Sequence, residues 1–380
     1  MRIGIDCHTV GSRLGGNERY TAGLVHALAR IDSRHDYRLY VTRSSPEVEA
    51  LAAAPNFTLV RLTPHSPLVR IPMSLPLELW RHPVDVLHVQ YIPPPFGRTP
   101  VVNLVHDLGH FHHASCFPRR EVWRQRLLLP RAVRRAAKVL TVSRHCKHDI
   151  EQTFGVTPDR VAVTHPGVSE AFRRVTGPAL DAVLGRYEIA LPYVLYVGNI
   201  QPRKNLQGLL DAFVALKRGA QVPHRLVIVG RSAWRSADVF ARVRELSLDR
   251  DVVFTSYVPD AALPALYSGA AALVEPSFFE GFGFPPLEAM ACGTPVVASN
   301  CPAFPEILGD AALLVNPAEP ADIARGILAL LRDDTLRATL IARGYERAAR
   351  YRWEETARRT LAVFEEVGRG DGRLGAARAS

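Results

Sequence analysis

The stretch Ala271–Ser299, AALVEPSFFEGFGFPPLEAMACGTPVVAS, contains the pattern that decides the fold. The apolar run Ala271–Val274 leads into a loop rich in glycine and aromatic residues, and a second apolar run occupies Pro295–Ala298. Between them, Pro285 and Pro286 suit the first turn of a helix. Two short apolar runs joined by a helix predict parallel strands covered by helices.

The same alternation of apolar runs and helical patterns extends along the rest of the chain. Strands are predicted before this stretch at Arg2–Asp6, Tyr37–Val41, Val84–Val89, Val101–Val105, Lys138–Val142, Val161–Thr164, Tyr193–Val197, Arg225–Val229 and Val252–Phe254, and after it at Ala312–Val315. Helical patterns lie between most of them, for example at Tyr20–Arg30, Asn205–Lys217 and Ala321–Leu331. Strands that are apolar on both faces and alternate with helices indicate an α/β fold, with parallel sheets covered by helices.

Two α/β domains are expected, because the strands are too many for one ordinary doubly wound sheet and the pattern restarts near Tyr193. The first domain is placed at residues 1–167, a connection at 168–192, and the start of the second domain at 193. Small, polar and charged residues predominate at 368–380, which is expected to be a disordered tail.

The composition is that of a folded protein, since 47% of the 380 residues are hydrophobic. Five scattered cysteines without a CxxC pair argue against a disulfide framework or a structural zinc site. The N-terminus becomes polar within a few residues, unlike a secretory signal, and no run of about 18 apolar residues occurs. We therefore expect a cytoplasmic, multi-domain, globular protein.

The net charge of +10 is unevenly distributed. Residues 1–190 contain 25 basic and 16 acidic side chains, whereas residues 191–380 contain 22 and 21. Much of the excess lies in the segment 119–147, at Arg119, Arg120, Arg124, Arg126, Arg131, Arg134, Arg135, Lys138, Arg144 and Lys147. A solvated helix surface is one interpretation, and peripheral contact with an anionic membrane or a phosphate-bearing acceptor is the other. Nucleic acid is disfavoured as a partner, because no recognition motif accompanies the charge.

Candidate binding residues directly follow the predicted strands. In open parallel sheets, ligands bind beyond the carboxyl ends of the strands, near the N-termini of the following helices. The strand Tyr193–Val197 is followed by GNIQPRKN, in which Arg203 and Lys204 are adjacent cations. Such cations can neutralise a diphosphate and the charge that builds on a departing nucleotide. A solvated Arg-Lys pair is the alternative.

Two carboxylates follow the strand Ala271–Val274. Glu280 lies in the loop and Glu288 in the opening turns of the helix, and Gly281 and Gly283 expose backbone N–H groups beside them. Carboxylates accept hydrogen bonds from sugar hydroxyls, so this arrangement suits a polyol ligand.

Two further positions follow strands of the first domain. Gly15 and Gly16 would allow a phosphate to approach the backbone at the start of a helix, although an ordinary flexible turn has the same composition. His106 directly follows the strand Val101–Val105, where an imidazole can bond a substrate hydroxyl.

Taken together, these residues resemble a known family, the retaining glycosyltransferases of family 4 with the GT-B fold. The resemblance covers nearly the whole chain and is strongest at Glu275–Ser299, which is similar to the E-x7-E signature of that family at Glu280 and Glu288. Other segments that carry it are the Gly-Gly loop, His106-Asp107, Leu140–Ser143, His165–Val168, Val197–Asn205 and Trp353–Ala357.

The resemblance implies two Rossmann-like doubly wound domains that face each other across a cleft. The acceptor-side domain would occupy 1–167 and the nucleotide-sugar-binding domain 193–350, with the helix 351–367 crossing back to the first domain. The implied activity is metal-independent transfer of a hexose from a nucleotide-sugar to a saccharide or lipid-linked saccharide, with retained anomeric configuration, in polysaccharide or cell-envelope glycan synthesis. GDP-mannose is the favoured donor and a UDP-sugar the alternative.

The resemblance also assigns roles to individual residues. Four side chains would act at the diphosphate and the reacting centre: His106, Arg203, Lys204 and Glu280. A larger set would contact the donor: the diphosphate at Gly15, Gly16, Arg203 and Lys204, the sugar at Glu280, Gly281, Phe282 and Gly283, the ribose at Glu288, and the base at the backbone near Tyr257 and Val258.

Two metal-site hypotheses are disfavoured. Asp249-Arg250-Asp251 has the DxD form that holds a divalent metal on nucleotide-sugars in some glycosyltransferases, but it precedes its strand and is interpreted as a solvated turn. Four histidines lie close together without HExxH spacing: His106, His110, His112 and His113.

Three other functions remain as alternatives. A nucleotide-sugar 2-epimerase shares the two-domain architecture, but the Glu280–Glu288 context and the Arg203-Lys204 pair favour a transferase. A non-catalytic sugar-nucleotide-binding protein would be expected to lack one or more of these charged residues, and all are present. An NAD-dependent oxidoreductase is disfavoured, because GxGxxG is missing after the first strand.

Overall fold

The computed structural model describes residues 1–12 and 15–370, which form two compact units. The first unit comprises Met1–Leu108, Trp123–Gly167 and the described residues from Arg352 onward, and the second comprises Gly109–Val122 and Val168–Tyr351. Of the tail expected at 368–380, residues 371–380 lie outside the described residues.

This grouping differs from the expected boundaries in two respects. Gly109–Val122 groups with the second unit, where the His113 ring lies 5.0 Å from the Phe279 ring. The segment 168–192, expected to be a connection, is also part of the second unit and contains a helix at Pro178–Arg186.

Helices flank the sheets of both units. In chain order they are α1 (Gly16–Ile31), α2 (Pro46–Glu49), α3 (Pro67–Val69), α4 (Leu75–Arg81), α5 (Gly109–His112), α6 (Arg119–Arg135), α7 (Arg144–Phe154), α8 (Pro178–Arg186), α9 (Leu206–Arg218), α10 (Ser236–Glu245), α11 (Leu263–Gly269), α12 (Phe284–Ala291), α13 (Phe304–Leu308), α14 (Pro320–Arg332), α15 (Asp334–Ala348) and α16 (Trp353–Gly368). Proline occupies the first turn of α8, α12 and α14, where its fixed φ suits a helix and its missing N–H costs no hydrogen bond.

The first unit contains a parallel sheet with the strand order β3-β2-β1-β4-β5-β6-β7. Its strands are β1 (Arg2–Asp6), β2 (Asp36–Val41), β3 (Phe57–Arg61), β4 (Val86–Gln90), β5 (Val101–Val105), β6 (Lys138–Thr141) and β7 (Val161–Val163). β3 was not predicted from the sequence. This strand lies at the sheet edge, where Thr58 and Arg61 are exposed and only Phe57 is fully buried, so its apolar signal is weak.

The second unit contains a parallel sheet with the strand order β10-β9-β8-β11-β12-β13. Its strands are β8 (Tyr193–Val197), β9 (Arg225–Val229), β10 (Val252–Ser256), β11 (Ala272–Glu275), β12 (Val296–Ser299) and β13 (Leu313–Val315). Leu209 and Phe213 of α9 are fully buried in the core of this unit. Burial of such a side chain stabilises the fold by about 1.5–3 kcal/mol. The two sheets confirm the prediction of an α/β chain with two Rossmann-like units.

The last helix, α16, packs along α1 in the first unit. The Trp353 ring lies edge-on to the Tyr20 ring, with centroids 5.9 Å apart, and the Thr356 hydroxyl donates to the His165 carbonyl at 2.6 Å. Gly23 of α1 leaves room for the indole, because a Cβ there would collide with the Trp353 ring. The chain therefore returns to its first unit through this helix, as predicted.

Over the residues that the structure describes, no helix combines the length and the apolar character needed to cross a bilayer.

Candidate active site

In the second unit, polar side chains gather where the winding of the sheet reverses. β8 and β11 are neighbours, and the chain continues from β8 to β9 and β10 on one side and from β11 to β12 and β13 on the other. Such a switch point leaves a crevice at the carboxyl ends of the two strands, which is the usual ligand site of an open α/β sheet. Residues 198–205 follow β8, and residues 276–283 follow β11.

Hydrogen bonds join these two segments. The Phe278 N–H donates to the Arg203 carbonyl at 2.9 Å, and Nη1 of Arg203 donates to the Phe279 carbonyl at 2.8 Å. Asn205 has a left-handed backbone, with φ of 54°, and its Nδ2 donates to the Pro276 carbonyl at 3.1 Å. The turn and the loop are therefore held as one structure.

Two cations and two carboxylates meet in this structure. Nζ of Lys204 lies 2.9 Å from Oε1 of Glu280 and 3.2 Å from Oε1 of Glu275, and Nη1 of Arg203 lies 2.6 Å from Oε1 of Glu280. Three of these side chains are buried: only 7% of the surface of Lys204, 1% of Glu275 and 8% of Glu280 is exposed to solvent. We call these four residues, Arg203, Lys204, Glu275 and Glu280, the charge cluster.

Within the charge cluster, burial and ion pairing shift the pKa values in opposite directions. Burial favours neutral Glu280, but the charges and hydrogen bonds of Arg203 and Lys204 outweigh it and lower its pKa to about 2. Burial also opposes the Lys204 ammonium, yet Glu275 and Glu280 raise the pKa of that group. For Glu275, burial and the Glu280 charge outweigh the attraction of Lys204, so its pKa is raised.

The helix α12 begins immediately after the loop. Gly283 has φ of 98°, and a Cβ there would collide with the Phe304 ring, so this turn requires glycine. Glu288, on α12, is 2% exposed and accepts a hydrogen bond from the Tyr267 hydroxyl at 2.8 Å.

In the first unit, the switch point lies between β1 and β4. His106 follows β5, and its Nε2 lies 2.9 Å from Oε1 of Gln90, the last residue of β4. Nε2 of Gln90 donates to the Thr21 hydroxyl of α1 at 2.5 Å, and Thr21 donates to the Asn17 carbonyl at 2.9 Å. Because an amide oxygen only accepts, His106 carries its proton on Nε2, which leaves Nδ1 as an acceptor.

His106 is neutral at physiological pH. Burial, with a smaller effect of the His88 charge, lowers its pKa to about 3. The Tyr20 ring lies edge-on to the imidazole, with centroids 5.2 Å apart. The residue is therefore suited to accept a hydrogen bond from a hydroxyl and not to act as a general acid.

The glycines Gly15 and Gly16 lie at the start of α1. Gly15 has φ of 93°, and its carbonyl accepts a hydrogen bond from the Arg19 N–H at 3.1 Å. Gly16 is the first residue of the helix, and both glycines are exposed. A helix N-terminus exposes free N–H groups to anions.

Known families match both halves of the chain. The family described as "Glycosyl transferases group 1" matches residues 190–347, and the family described as "Glycosyltransferase Family 4" matches residues 14–172. The chain is 33% identical over 276 residues to the O-antigen chain mannosyltransferase B of Escherichia coli, and the match covers 72% of each chain. The chain belongs to glycosyltransferase family 4.

Two further comparisons agree with this assignment. The O-antigen chain mannosyltransferase RfbU of Salmonella typhimurium is 35% identical to this family 4 glycosyltransferase over 214 residues, 56% of each chain. Among solved structures, sucrose-phosphate synthase of Thermosynechococcus elongatus superposes with a TM-score of 0.79 at 20% identity, covering 97% of this chain and 100% of that one. This second likeness shows the shared fold.

The structure of the glycosyltransferase places the predicted donor residues as follows. It joins Arg203, Lys204 and Glu280 directly, and residues 281–283 form the turn between this cluster and α12. Tyr257 and Val258 follow β10, with 40% and 3% of their surface exposed. The contacts predicted between these residues and a donor stay predictions.

The two disfavoured metal motifs have other partners in this glycosyltransferase. Asp251 lies in the turn before β10 and pairs with Nζ of Lys217 at 2.8 Å. The His110 ring stacks on Phe117, with centroids 4.1 Å apart. Within residues 1–12 and 15–370, no group of three or more His, Cys, Asp or Glu side chains is placed to hold a metal ion.

Three polar residues that end buried strands were not predicted as site residues from the sequence. Glu275 ends β11 and contacts Lys204, and Gln90 ends β4 and contacts His106. Asp6 ends β1, and its two oxygens accept hydrogen bonds from buried Arg70 at 2.8 and 2.9 Å. The available signal was a polar side chain in the last position of an otherwise apolar run.

Proposed function

We propose that this family 4 glycosyltransferase transfers mannose from GDP-mannose to a saccharide or lipid-linked saccharide, with retained anomeric configuration, in cell-envelope polysaccharide synthesis. The proposed position of the donor site rests on one observation, the buried charge cluster at the β8–β11 switch point. The choice of mannose rests on two relatives that are named mannosyltransferases and are 33% and 35% identical to the chain.

Donor binding in this proposal uses the groups at the strand ends. Arg203 and Lys204 hold the diphosphate, which is approached by the backbone at Gly15 and Gly16. Glu280 accepts hydrogen bonds from the sugar hydroxyls. The remaining donor contacts are Gly281, Phe282 and Gly283 to the sugar, His106 through Nδ1 to a sugar hydroxyl, Glu288 to the ribose, and the backbone near Tyr257 and Val258 to the base.

The chemistry requires charge stabilisation at two places. Cleavage of the glycosidic bond creates positive charge on the sugar and negative charge on the leaving diphosphate. Arg203 and Lys204, already oriented by hydrogen bonds and ion pairs, stabilise the diphosphate more in the transition state than in the ground state. Retention follows if the acceptor attacks from the leaving-group face and the departing phosphate takes the acceptor proton.

The reaction is proposed to be independent of a metal ion. In many phosphoryl sites a divalent cation neutralises the diphosphate. Here the adjacent guanidinium and ammonium groups supply two positive charges at the same edge of the sheet. Activity that survives extensive dialysis against EDTA would support this proposal, and loss of activity restored by magnesium would contradict it.

The first experiment is a thermal-shift panel with GDP, UDP, ADP and dTDP, and with NAD as the control. A ligand that binds only the folded state adds about 2.7 kcal/mol at a hundredfold excess over its Kd. We expect GDP to raise Tm most, and Arg203→Ala to abolish that shift. Arg325→Ala, in an exposed arginine of the same unit, should retain it. A larger rise in Tm with UDP than with GDP would indicate a UDP-sugar as the donor. No rise in Tm with any of the nucleoside diphosphates would contradict the donor site.

Product analysis separates the transferase from the alternatives. A GDP-mannose assay with a mannose-containing oligosaccharide should yield an elongated oligosaccharide and GDP, with an α-linkage if the configuration is retained. An isomerised nucleotide-sugar in the absence of acceptor would instead indicate an epimerase. Binding without turnover over a broad acceptor panel would indicate a non-catalytic binding protein.

We further propose that the basic segment 119–147 contacts an anionic membrane. On α6, Trp123 and Leu127 are 76% and 58% exposed beside the exposed arginines Arg124 and Arg131. Exposed aromatic and aliphatic side chains among cations are typical of helices that lie in a bilayer interface. Sedimentation with anionic vesicles should exceed that with zwitterionic vesicles and fall in the Trp123→Ala/Leu127→Ala variant. Trp234→Ala, in an exposed tryptophan of the second unit, is the control, and no binding to either vesicle would contradict the proposal.

A further inference from the structure

Glu275 is the most deeply buried member of the charge cluster, and the donor contacts proposed above do not use it. It lies at the end of β11, and only 1% of its surface is exposed to solvent. Its Oε1 and Oε2 lie 3.2 and 3.3 Å from Nζ of Lys204, and the Ser277 hydroxyl donates to Oε1. The Ser277 carbonyl in turn accepts a hydrogen bond from the Ser299 hydroxyl at 2.6 Å. The carboxylate is therefore fixed by protein groups.

The charges of the cluster cancel when no ligand is bound, since two cations face two carboxylates. The diphosphate of a nucleotide-sugar would bring two negative charges to the same cations. Negative charges that accumulate in a buried site are poorly screened, so one carboxylate must give up its charge or the donor must bind weakly.

The two carboxylates differ in how much they depend on Lys204. Glu280 contacts both Arg203 and Lys204, and it keeps the guanidinium if the ammonium turns to a phosphate. Glu275 directs both of its oxygens to Lys204 and is less exposed than Glu280. Glu275 is therefore the carboxylate that would lose its cation if a donor diphosphate took over Lys204.

We propose that Glu275 is a positioning residue that holds the Lys204 ammonium in the free protein and takes up a proton when a donor diphosphate becomes the partner of Lys204. One proton passes from solvent to the carboxylate, which becomes a neutral carboxylic acid, and no other bond changes. The inference rests on the proposed donor site and adds proton-coupled donor binding to it.

The surroundings of Glu275 favour uptake of a proton by this carboxylate. Burial, together with the Glu280 charge, raises the pKa of Glu275 in the free protein against the attraction of Lys204. Burial raises the pKa of Cys301 to about 12 and holds the pKa of Tyr196 well above its ordinary value, so both groups are already protonated near neutral pH and neither competes for the added proton. Four titratable groups interact with Glu275: Tyr196 of β8, Lys204 of the turn after it, Glu280 of the loop, and Cys301 after β12. Arg203 acts on the cluster through its ion pair with Glu280.

Proton uptake is measured by isothermal titration calorimetry of the intact protein with GDP-mannose. The titration is repeated at one neutral pH in two buffers that differ in ionisation enthalpy. The phosphates of a nucleotide-sugar are diesters, so the donor itself neither gains nor loses a proton near neutral pH. We expect a net uptake that approaches one proton for each donor bound. Because the complex holds the extra proton, affinity falls as pH rises, by up to about tenfold per pH unit.

Variants assign the proton to its site. Glu275→Gln is neutral in both states, so it should bind without proton uptake and with a Kd that is nearly independent of pH. Glu245→Gln, in an exposed carboxylate of the same unit, should keep the wild-type uptake and pH dependence. If Glu275→Gln does not fold, the proton uptake and the pH dependence of donor affinity in the wild-type protein still test whether binding is coupled to a proton.

Each outcome has one consequence. Binding of GDP-mannose by the wild-type protein without proton uptake overturns the role of Glu275 and leaves the donor site standing. Undiminished proton uptake in Glu275→Gln does the same. Failure of GDP-mannose, UDP-glucose and ADP-glucose to bind at all overturns the donor site and, with it, this inference.

Discussion

Nζ of Lys204 lies 2.9 Å from Oε1 of Glu280, although the two residues belong to different strand–helix connections. Both side chains are buried, so each charge depends on the other for its stability. The pair brings the cation proposed to hold the diphosphate and the carboxylate proposed to hold the sugar to one point. Contact between β8 and β11 makes this possible.

The Lys204→Ala variant should lower kcat by about 10²–10³-fold, or about 2.7–4 kcal/mol, because the charge that Lys204 faces grows in the transition state. KM for the acceptor should change little. Steady-state kinetics on the purified variant is the measurement, with Lys217→Ala as a control in a lysine that pairs with Asp251. An unchanged kcat with only a raised KM would show that the assigned role is wrong.

The Gln90→Leu variant should destabilise the fold by about 1–3 kcal/mol, because the Nε2–H of His106 would lose its acceptor in a buried site. Gln90→Glu keeps an acceptor and should retain the Nε2–H tautomer. Urea unfolding measures the stability, and nitrogen NMR of the imidazole reports the tautomer. Gln152→Leu, in an exposed glutamine, is the control, and a Gln90→Leu variant as stable as this control would contradict the hydrogen-bond chain.

The stability of the protein should fall as pH decreases from about 6.5 towards 4. Burial lowers the pKa of His88 to about 4 and of His106 to about 3, whereas an unfolded histidine has a pKa of about 6.5. The unfolded state therefore binds more protons in this window, and each histidine removes up to about 1.4 kcal/mol per pH unit.

Urea midpoints measured across this window check the expectation. His88→Gln and His106→Gln should each flatten the dependence on pH, whereas His82→Gln, in an exposed histidine, should leave it unchanged. If the urea midpoint changes with pH equally in the wild-type protein and in all three variants, then His88 and His106 are not buried in their neutral forms.

The Gly283→Ala variant should lose about 1–3 kcal/mol of stability, because the new Cβ would collide with the Phe304 ring and the backbone has φ of 98°. The turn into α12 should shift, so donor affinity should fall as well. Gly185→Ala is the matched control: Gly185 lies in α8, where a Cβ would point into open space, and the change should be neutral or stabilising by about 0.5–1 kcal/mol. Equal melting temperatures for the two variants would contradict the steric argument.

Most of the strands and the α12 turn were predictable from local sequence. Runs such as Tyr193–Val197 are buried on both faces, and they stand out because every residue is apolar. The edge strand Phe57–Arg61 was missed because exposed polar residues interrupt its pattern. The grouping of Gly109–Val122 with the second unit was also missed, since it depends on contacts such as the one between His113 and Phe279 that no local pattern reports.

By itself, the sequence determined the strand–helix alternation, the two parallel sheets, the family signature and the presence of Arg203, Lys204 and Glu280 at strand ends. Tertiary structure decided which of these ends meet. Lys204 contacts Glu275 and Glu280 because β8 and β11 are neighbours in the sheet. In the same way, His106 contacts Gln90 because β4 and β5 are neighbours. Periodicity reports the burial of each strand, but sheet order depends on long-range packing. The partners of a buried charge therefore become visible only when the strands are assembled.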